Sequence, residues 1–374
     1  MRALITGGAG FIGSHTADAL LREGVAVRVL DSLEEPVHPG RRVPAYLDHR
    51  IEFVRGDVRD ANALLACLRG CDVVFHFAAF QDYLPTFSRY FDVNVTSTAL
   101  IYELIAREKL PVKKIVVASS QAALGEGLYR DADGRALLPD IRPLEQLERG
   151  EWEIRPPPGH RGPLRWQPTD ETVANPHNPY GLSKIAEERV ALSLGRRCGV
   201  PTVALRYSIT QGPRQSFYNA YSGACRIFCL SFHLGREPTI YEDGQQVRDF
   251  VNIHDVVDAN LLVLRDPRAD YEMFNVGGDR AHTVAGFARA VAEVFGVKEY
   301  EPAPSGKYRY GDTRHIFSDV SKLKGLGWKP KRSVQESIEA YRAWLGSAEN
   351  AAGILDYCNE QMARLNVVRE VVKA

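Results

Sequence analysis

Thr6-Gly-Gly-Ala-Gly-Phe-Ile-Gly13 follows an apolar run, Arg2 to Thr6, and opens a segment of helical period, Phe11 to Glu23. Gly7 permits a tight turn, Gly10 lets backbone amides approach a pyrophosphate, and Gly13 lets the helix that begins at Phe11 and Ile12 pack closely on the strand. The next apolar run, Val25 to Leu30, is closed by Asp31. An acidic side chain at that point accepts from both ribose hydroxyls and repels a 2′-phosphate, so NAD rather than NADP is the expected cofactor. A turn-opening role for Asp31 is the plainer alternative, and Arg28 nearby counts against the NAD reading.

Outward from this turn the same alternation continues. Ile51 to Val54, Asp72 to Phe77, Lys114 to Ser119 and Thr202 to Tyr207 read as strands, and Ala61 to Leu68, Thr86 to Glu108 and Tyr180 to Arg197 as helices. Apolar strands separated by helices predict an α/β, Rossmann-type, doubly wound parallel sheet covered on both faces. Gly56-Asp57-Val58 follows the third strand; Asp57 is placed either to accept from the adenine amine or to cap the helix after it, with Val58 beside the same base. Phe77-Ala78-Ala79 ends the fourth strand with small residues that let a dinucleotide pass, and Tyr207 ends the sixth.

The rhythm breaks between Gly125 and Thr172, a stretch rich in Pro, Gly, Arg and Glu without sustained periodicity. Loops of this length inside a domain are usually functional or mobile, which makes it an insertion at the edge of the site; an exposed excursion without a role is the alternative. Residues 1–212 are therefore assigned to the nucleotide-binding domain and 213–348 mainly to a smaller substrate-binding lobe. In that lobe helices are expected at Tyr221 to Leu234, His254 to Leu264, Val284 to Phe295 and Val334 to Leu345, and Arg248 to Val251 extended. Residues 349–374 are expected to form a terminal amphipathic helix, over about 350 to 370, that serves packing or oligomer contact.

The 374 residues carry 47 basic and 47 acidic side chains. That balance argues against a nucleic-acid or anionic-membrane partner held by bulk charge. No apolar stretch is long enough to span a bilayer, and the chain enters a strand-like run at Met1 without the pattern of a secretory signal. Six scattered cysteines without C-x-x-C fit neither a disulfide framework nor a zinc ribbon, so no metal and a cytoplasmic location are expected.

Tyr180-Gly-Leu-Ser-Lys184 opens a predicted helix, and Ala118-Ser119-Ser120 ends a strand. Tyrosine and lysine four apart share a helix face, so the ammonium is placed to lower the phenol pKa and to hold a ribose; with the charge of a nicotinamide pyridinium added, the phenol is expected to move toward neutrality, while the Ser120 hydroxyl shares the substrate proton. Chance occurrence of Y-x-x-x-K is the alternative. Against it, Lys184 is the only lysine between Lys114 and Lys298 in a chain with 36 arginines and 11 lysines. Arginine does not replace a compact, tunable ammonium.

The glycine turn, the Ser120, Tyr180 and Lys184 set, and Arg248-Asp-Phe-Val-Asn-Ile-His-Asp255 together resemble the extended short-chain dehydrogenase/reductase family, in particular its NAD-dependent nucleotide-sugar epimerases and dehydratases. The likeness runs from Met1 to about Leu345. It implies a tightly held NAD, a nucleotide-diphosphate sugar as substrate, and a homodimer built from the helices after the fourth and fifth strands. By position it places Asn94 near the nicotinamide, Arg248 and Arg309 on the substrate diphosphate, Arg214 on the phosphates or sugar, and Gln81 and Gln121 beside the substrate. A structural ion pair between Arg248 and Asp249, and an ordinary loop role for Arg309, are the alternatives.

Departures from the family pattern narrow the reaction. Gln121-Ala122 stands where 4,6-dehydratases carry Asp-Glu, no cysteine lies in that segment to deprotonate a carbon beside a ketone, and the Glu of decarboxylating relatives is missing. Ile209 replaces a frequent Asn after the sixth strand. What remains is enough to take a hydride from one carbinol carbon and return it, which predicts an isomerase that inverts a sugar hydroxyl carbon, most simply C4. The insertion and Gln81-Asp-Tyr-Leu-Pro85 are more like the branch containing dTDP-L-rhamnose 4-epimerases. An NAD-dependent dehydrogenase or another sugar-nucleotide epimerase of the family, and an NAD-binding sensor without turnover, are the competing readings.

Overall fold

The computed structural model describes residues 1–82, 85–218, 223–346 and 351–372. Tyr83 and Leu84, Tyr221 and Ser222 at the expected start of a lobe helix, and residues 349 and 350 lie outside the described residues.

In chain order the first half runs β1 (Arg2–Thr6), α1 (Phe11–Arg22), β2 (Ala26–Asp31), β3 (Glu52–Arg55), α2 (Ala61–Leu68), β4 (Val73–His76), α3 (Phe87–Phe91), α4 (Ser97–Glu108) and β5 (Lys114–Ser120). The insertion holds β6 (Leu128–Arg130), β7 (Ala136–Leu137), α5 (Leu144–Glu148) and β8 (Arg165–Gln167), and α6 (Pro179–Cys198) and β9 (Thr202–Tyr207) follow. The remainder comprises β10 (Ile209–Gln211), α7 (Ala224–His233), β11 (Val247–Asn252), α8 (Ile253–Arg265), β12 (Met273–Val276), β13 (Ala281–Thr283), α9 (Val284–Val294), β14 (Lys307–Arg309), α10 (Ser321–Lys324), α11 (Val334–Leu345), α12 (Ala351–Arg364) and β15 (Val368–Glu370).

The central sheet has seven strands in the order β12-β9-β5-β4-β1-β2-β3, every pair parallel. Side chains alternate across it: Ala3, Ile5, Val27 and Val29 enter one buried cluster, Leu4 and Leu30 the other. Burial of both faces is why these strands read as unbroken apolar runs. The six strands expected from the sequence are present. The seventh, β12, is a four-residue edge strand whose buried Asn275 donates to the carbonyls of Thr169 and Asp319, at 3.0 Å each. Its brevity and central polar residue hid it. Because α8 and β12 return to the Rossmann sheet, that layer crosses the boundary drawn at residue 212.

Local chemistry sets the ends of the elements. Asn178 caps α6 by accepting from the Gly181 amide at 2.8 Å, with Pro179 in the first turn and left-handed Gly199 at its end. Asp60 caps α2, accepting from the amides of Asn62 and Ala63. The helix expected as one piece from Thr86 to Glu108 instead changes winding in a π turn at Asp92–Thr96, which directs Asn94 inward.

The insertion is an ordered subdomain, not an aperiodic loop. It holds a three-stranded sheet, β7-β6-β8, and α5, and two ion pairs tie it to the lobe: Arg142 to Glu242 at 2.8 Å, and Glu153 to Arg314 at 2.5 Å, while Glu242 and Asp243 hold Arg314 from within the lobe at 3.0 and 2.7 Å. The terminal helix stops at Arg364, short of 370, and the chain ends its described course as β15, antiparallel to β14. Leu365 and Asn366 close that helix in a turn, with positive φ at Asn366. The lobe core gathers apolar residues of α7, α9, α11 and α12, among them Phe228, Phe287, Tyr341 and Ile354.

Candidate active site

β1 delivers the glycine turn to the point where strand order reverses between β1 and β4, where open α/β sheets bind ligands. Gly7 has φ +66°, and a Cβ there would stand 2.7 Å from the Ala78 amide nitrogen. A Cβ at Gly13 would meet the Gly7 carbonyl oxygen at 2.5 Å. Gly10 precedes α1 with no side-chain cap, so the first amides of that helix are left for an anion. These residues fit a dinucleotide pyrophosphate by construction.

Asp31 closes β2 and is nearly buried. Its two oxygens accept from the backbone amides of Ala9, at 3.0 Å, and Leu33, at 2.8 Å, so the carboxylate already braces the turn. A carboxylate oxygen accepts more than one hydrogen bond, and capacity for a ribose hydroxyl remains. Arg28 is directed elsewhere, to the carbonyls of Cys67 and Arg69 at 2.8 Å each and to Glu52 at 2.9 Å. Asp57 does not cap α2, a role that Asp60 fills. It pairs instead with Arg59 at 2.6 Å, which holds its carboxyl below the usual range, and Val58 is buried behind it.

A cavity of about 520 Å³ starts at Phe11 and Ile12, passes Gln81, Ser120, Gln121, Tyr180 and Tyr207, and extends between α7, Arg248 and Arg309 to the lobe. Tyr180 is hydrogen-bonded to Ser120, whose Oγ also accepts from the Ala122 amide at 3.2 Å. Lys184 Nζ donates to the Ala118 carbonyl at 2.8 Å and to Glu187 at 2.7 Å, and lies 5.8 Å from the Tyr180 ring centroid. In the protein alone, burial raises the Tyr180 hydroxyl above its ordinary range and the Lys184 charge only partly opposes this. The expected shift toward neutrality draws on a pyridinium charge as well as on Lys184; in the protein alone, burial and the Glu187 charge outweigh the ammonium.

Asn94 is fully buried, donating to Ser183 Oγ at 2.9 Å and to the Phe80 carbonyl at 3.1 Å and accepting from the Phe80 amide at 2.7 Å. It fastens the loop after β4, beyond Phe77-Ala78-Ala79, to the start of α6. Tyr207 donates to Asn260 at 2.6 Å. The Gln121 side-chain nitrogen donates to Ser318 at 2.7 Å and Ser208 at 3.1 Å, in a buried cluster around Asp249.

The arginines differ. Arg248 lines the cavity and donates to the carbonyls of Val247 and Arg314 at 2.8 and 3.1 Å. No carboxylate pairs with it among the described residues, and Asp249 lies on the opposite face of β11, accepting from Ser208 and the Gly278 amide. Burial lowers the Arg248 pKa, which leaves a desolvated cation facing the cavity. Arg309 also lines it but is bonded to Asp312 at 2.6 Å and stacked on Tyr241. Arg214 is off the cavity wall, paired with Asp18 at 2.7 Å and lying over the Tyr46 ring.

Sequence reasoning missed Glu187, although its i+3 spacing from Lys184 was readable, and it missed Leu355, Asn359 and Met362, which bring α12 to the cavity wall. Nothing in the pattern of α12 distinguished a wall from a packing face. Among the described residues no cluster fit for a metal and no helix long and apolar enough to cross a membrane is present.

Known proteins match this chain over about nine-tenths of its length. Residues 3–145 and 156–277 match the model of the NAD dependent epimerase/dehydratase family. A dTDP-L-rhamnose 4-epimerase of Burkholderia thailandensis is 34% identical over 353 residues, covering 92% of this chain and 94% of that protein. A putative UDP-glucose 4-epimerase of Methanocaldococcus jannaschii is 30% identical, covering 91% and 97%. Among solved structures, the Thermotoga maritima UDP-glucose 4-epimerase with UDP-glucose superposes with a TM-score of 0.73 at 28% identity, covering 92% of this chain and 99% of that one. The Thermus thermophilus UDP-glucose 4-epimerase with NAD gives 0.72 at 29% identity, covering 93% and 100%. With its glycine turn, its Ser-Tyr-Lys set and matches of this extent, the chain belongs to the NAD dependent epimerase/dehydratase family.

Proposed function

We propose that this protein is an NAD-dependent isomerase that inverts C4 of a nucleotide-diphosphate sugar, with dTDP-L-rhamnose as the leading substrate. The observation that carries the reading is that Ser120 and Tyr180, with Lys184 buried behind them, face one cavity that runs from Phe11 and Ile12 at the glycine turn to Arg248 in the lobe. Similarity to the Burkholderia dTDP-L-rhamnose 4-epimerase supports the choice of nucleotide and sugar.

Bound NAD supplies a two-electron acceptor and donor for a single carbon-bound hydrogen. Gly7, Gly10, Gly13, Phe11 and Ile12 would hold its pyrophosphate, Asp31 a ribose, Asp57 and Val58 the adenine end, and Tyr180 and Lys184 the other ribose. Tyr180 takes the proton of the 4-hydroxyl and returns it, with Ser120 hydrogen-bonded to the same oxygen. Arg248 holds the diphosphate, aided by Arg309 when it shares its guanidinium with Asp312, so that the sugar can turn while its tether stays fixed. Gln121 offers an amide where elimination of water would need an acid and a base.

The likeness also supports a homodimer through α3 and α6, where Phe87, Phe91 and Leu182 are exposed at 58%, 40% and 48%. All six cysteines are free thiols, in keeping with a reducing cytoplasm. The test is to incubate the purified protein, without added cofactor, with dTDP-, UDP-, GDP- and CDP-sugars and follow them by NMR. Inversion at C4 without release of NADH is expected; stoichiometric NADH would make the protein a dehydrogenase.

A further inference from the structure

Lys184 has a second neighbour besides Tyr180. One helical turn further along α6, Glu187 places a carboxylate oxygen 2.7 Å from Lys184 Nζ, with lysine and glutamate exposed at 1% and 0%. Among the described residues no other carboxylate touches this ammonium. The adjacent Glu188 is held by Arg206 of β9, at 2.7 and 2.8 Å, and by Ser119.

Three N–H bonds leave Nζ. One goes to the Ala118 carbonyl on β5 and one to Glu187, which fixes the direction of the third. A lysine so buried sheds its proton unless an anion is beside it. The other groups facing the pair supply none: His76 on β4, lodged between Thr6 and Ser97, is held neutral by burial, and α4 presents Thr98 and Tyr102.

We propose that Glu187 is a positioning residue that keeps the Lys184 ammonium charged and aimed, and that by sharing its charge Glu187 sets the pH at which Tyr180 accepts a proton. The inference rests on the reading of Tyr180 as the acid-base group. Burial pushes the Glu187 carboxyl up to about 7, so its charge is itself adjustable near neutrality. Removing that negative charge makes the Tyr180-Lys184 couple more positive, and the couple then loses its first proton at lower pH whichever atom gives it up. The proton also shifts in part from lysine to tyrosine, which lowers the maximal rate.

The test is the pH profile of kcat for the protein with its NAD, using whichever dTDP- or UDP-sugar the wild type isomerises. Glu187→Gln should move the rising limb down by about one pH unit and lower the plateau. Glu187→Asp, with the charge kept but withdrawn by one methylene, should move it less in the same direction, and carries the test if the Gln protein does not fold. A limb at the wild-type position in either folded, NAD-retaining variant overturns the proposal. Tyr180→Phe is run alongside: activity surviving there refutes the reading of the site itself, whereas an inactive Tyr180→Phe with an unmoved Glu187→Gln limb refutes only this inference.

Discussion

Tyr180 is the proposed proton acceptor, and its substitution is the sharpest test of a residue. Tyr180→Phe removes the proton acceptor and almost no volume, so kcat should fall by about 10²–10⁴-fold while NAD stays bound; activity within tenfold of wild type would contradict the role. At Asp31 the expectation is discrimination. A buried carboxylate placed at a ribose would repel a 2′-phosphate, and Arg28 is committed to the end of α2. Calorimetry on cofactor-stripped protein should show NAD bound more tightly than NADP, and equal affinities would refute the assignment. Ser120, Tyr180 and Lys184 were legible in the sequence because their spacing is local or marks strand and helix ends. The partners of Arg214 and Arg309 were less so: Asp18 lies nearly two hundred residues from Arg214 along the chain, and a motif says nothing about which carboxylate reaches a guanidinium first.

Among the elements, the insertion departed furthest from its sequence. It lacks periodicity because its strands are two or three residues long and its order comes from ion pairs and hydrogen bonds to distant segments. Glu242 binds both Arg142 and Arg314, all three nearly unexposed. Glu242→Leu strands buried guanidinium charge and should cost about 3–5 kcal/mol in denaturant unfolding. A loss below about 0.5 kcal/mol, the range of an ordinary surface change, would show that the insertion is not fastened this way. Glu126, at the root of the insertion, is pushed up by burial from 4.5 to about 7. The folded state therefore holds its proton where the unfolded state has released it, so this group's contribution to stability falls as pH rises from about 4.5 to 7. Glu126→Gln should remove that slope: measured against wild type, the variant should gain stability between pH 5 and pH 8, and a constant difference would contradict the assignment.

At the scale of the whole molecule, chain ends and layers are interleaved. β12 returns from the lobe segment to the edge of the Rossmann sheet, and β15 closes on β14 while the Val372 amide donates to Glu148 of α5 at 2.9 Å. The doubly wound sheet was readable because burial on both faces writes apolar runs into the sequence; the interleaving was not, since short edge strands carry little pattern. Sedimentation should give a dimer, and Leu182→Glu with Phe87→Ser should shift it to monomer. The central claim is that one cavity, with one proton acceptor and no further acid-base pair after Ser120, inverts a single carbon. It is tested most directly by running the isomerisation in heavy water and reading the product by NMR. The account predicts inversion at C4 with no deuterium on any ring carbon, whereas deuterium on a carbon next to C4 would show deprotonation there and contradict it.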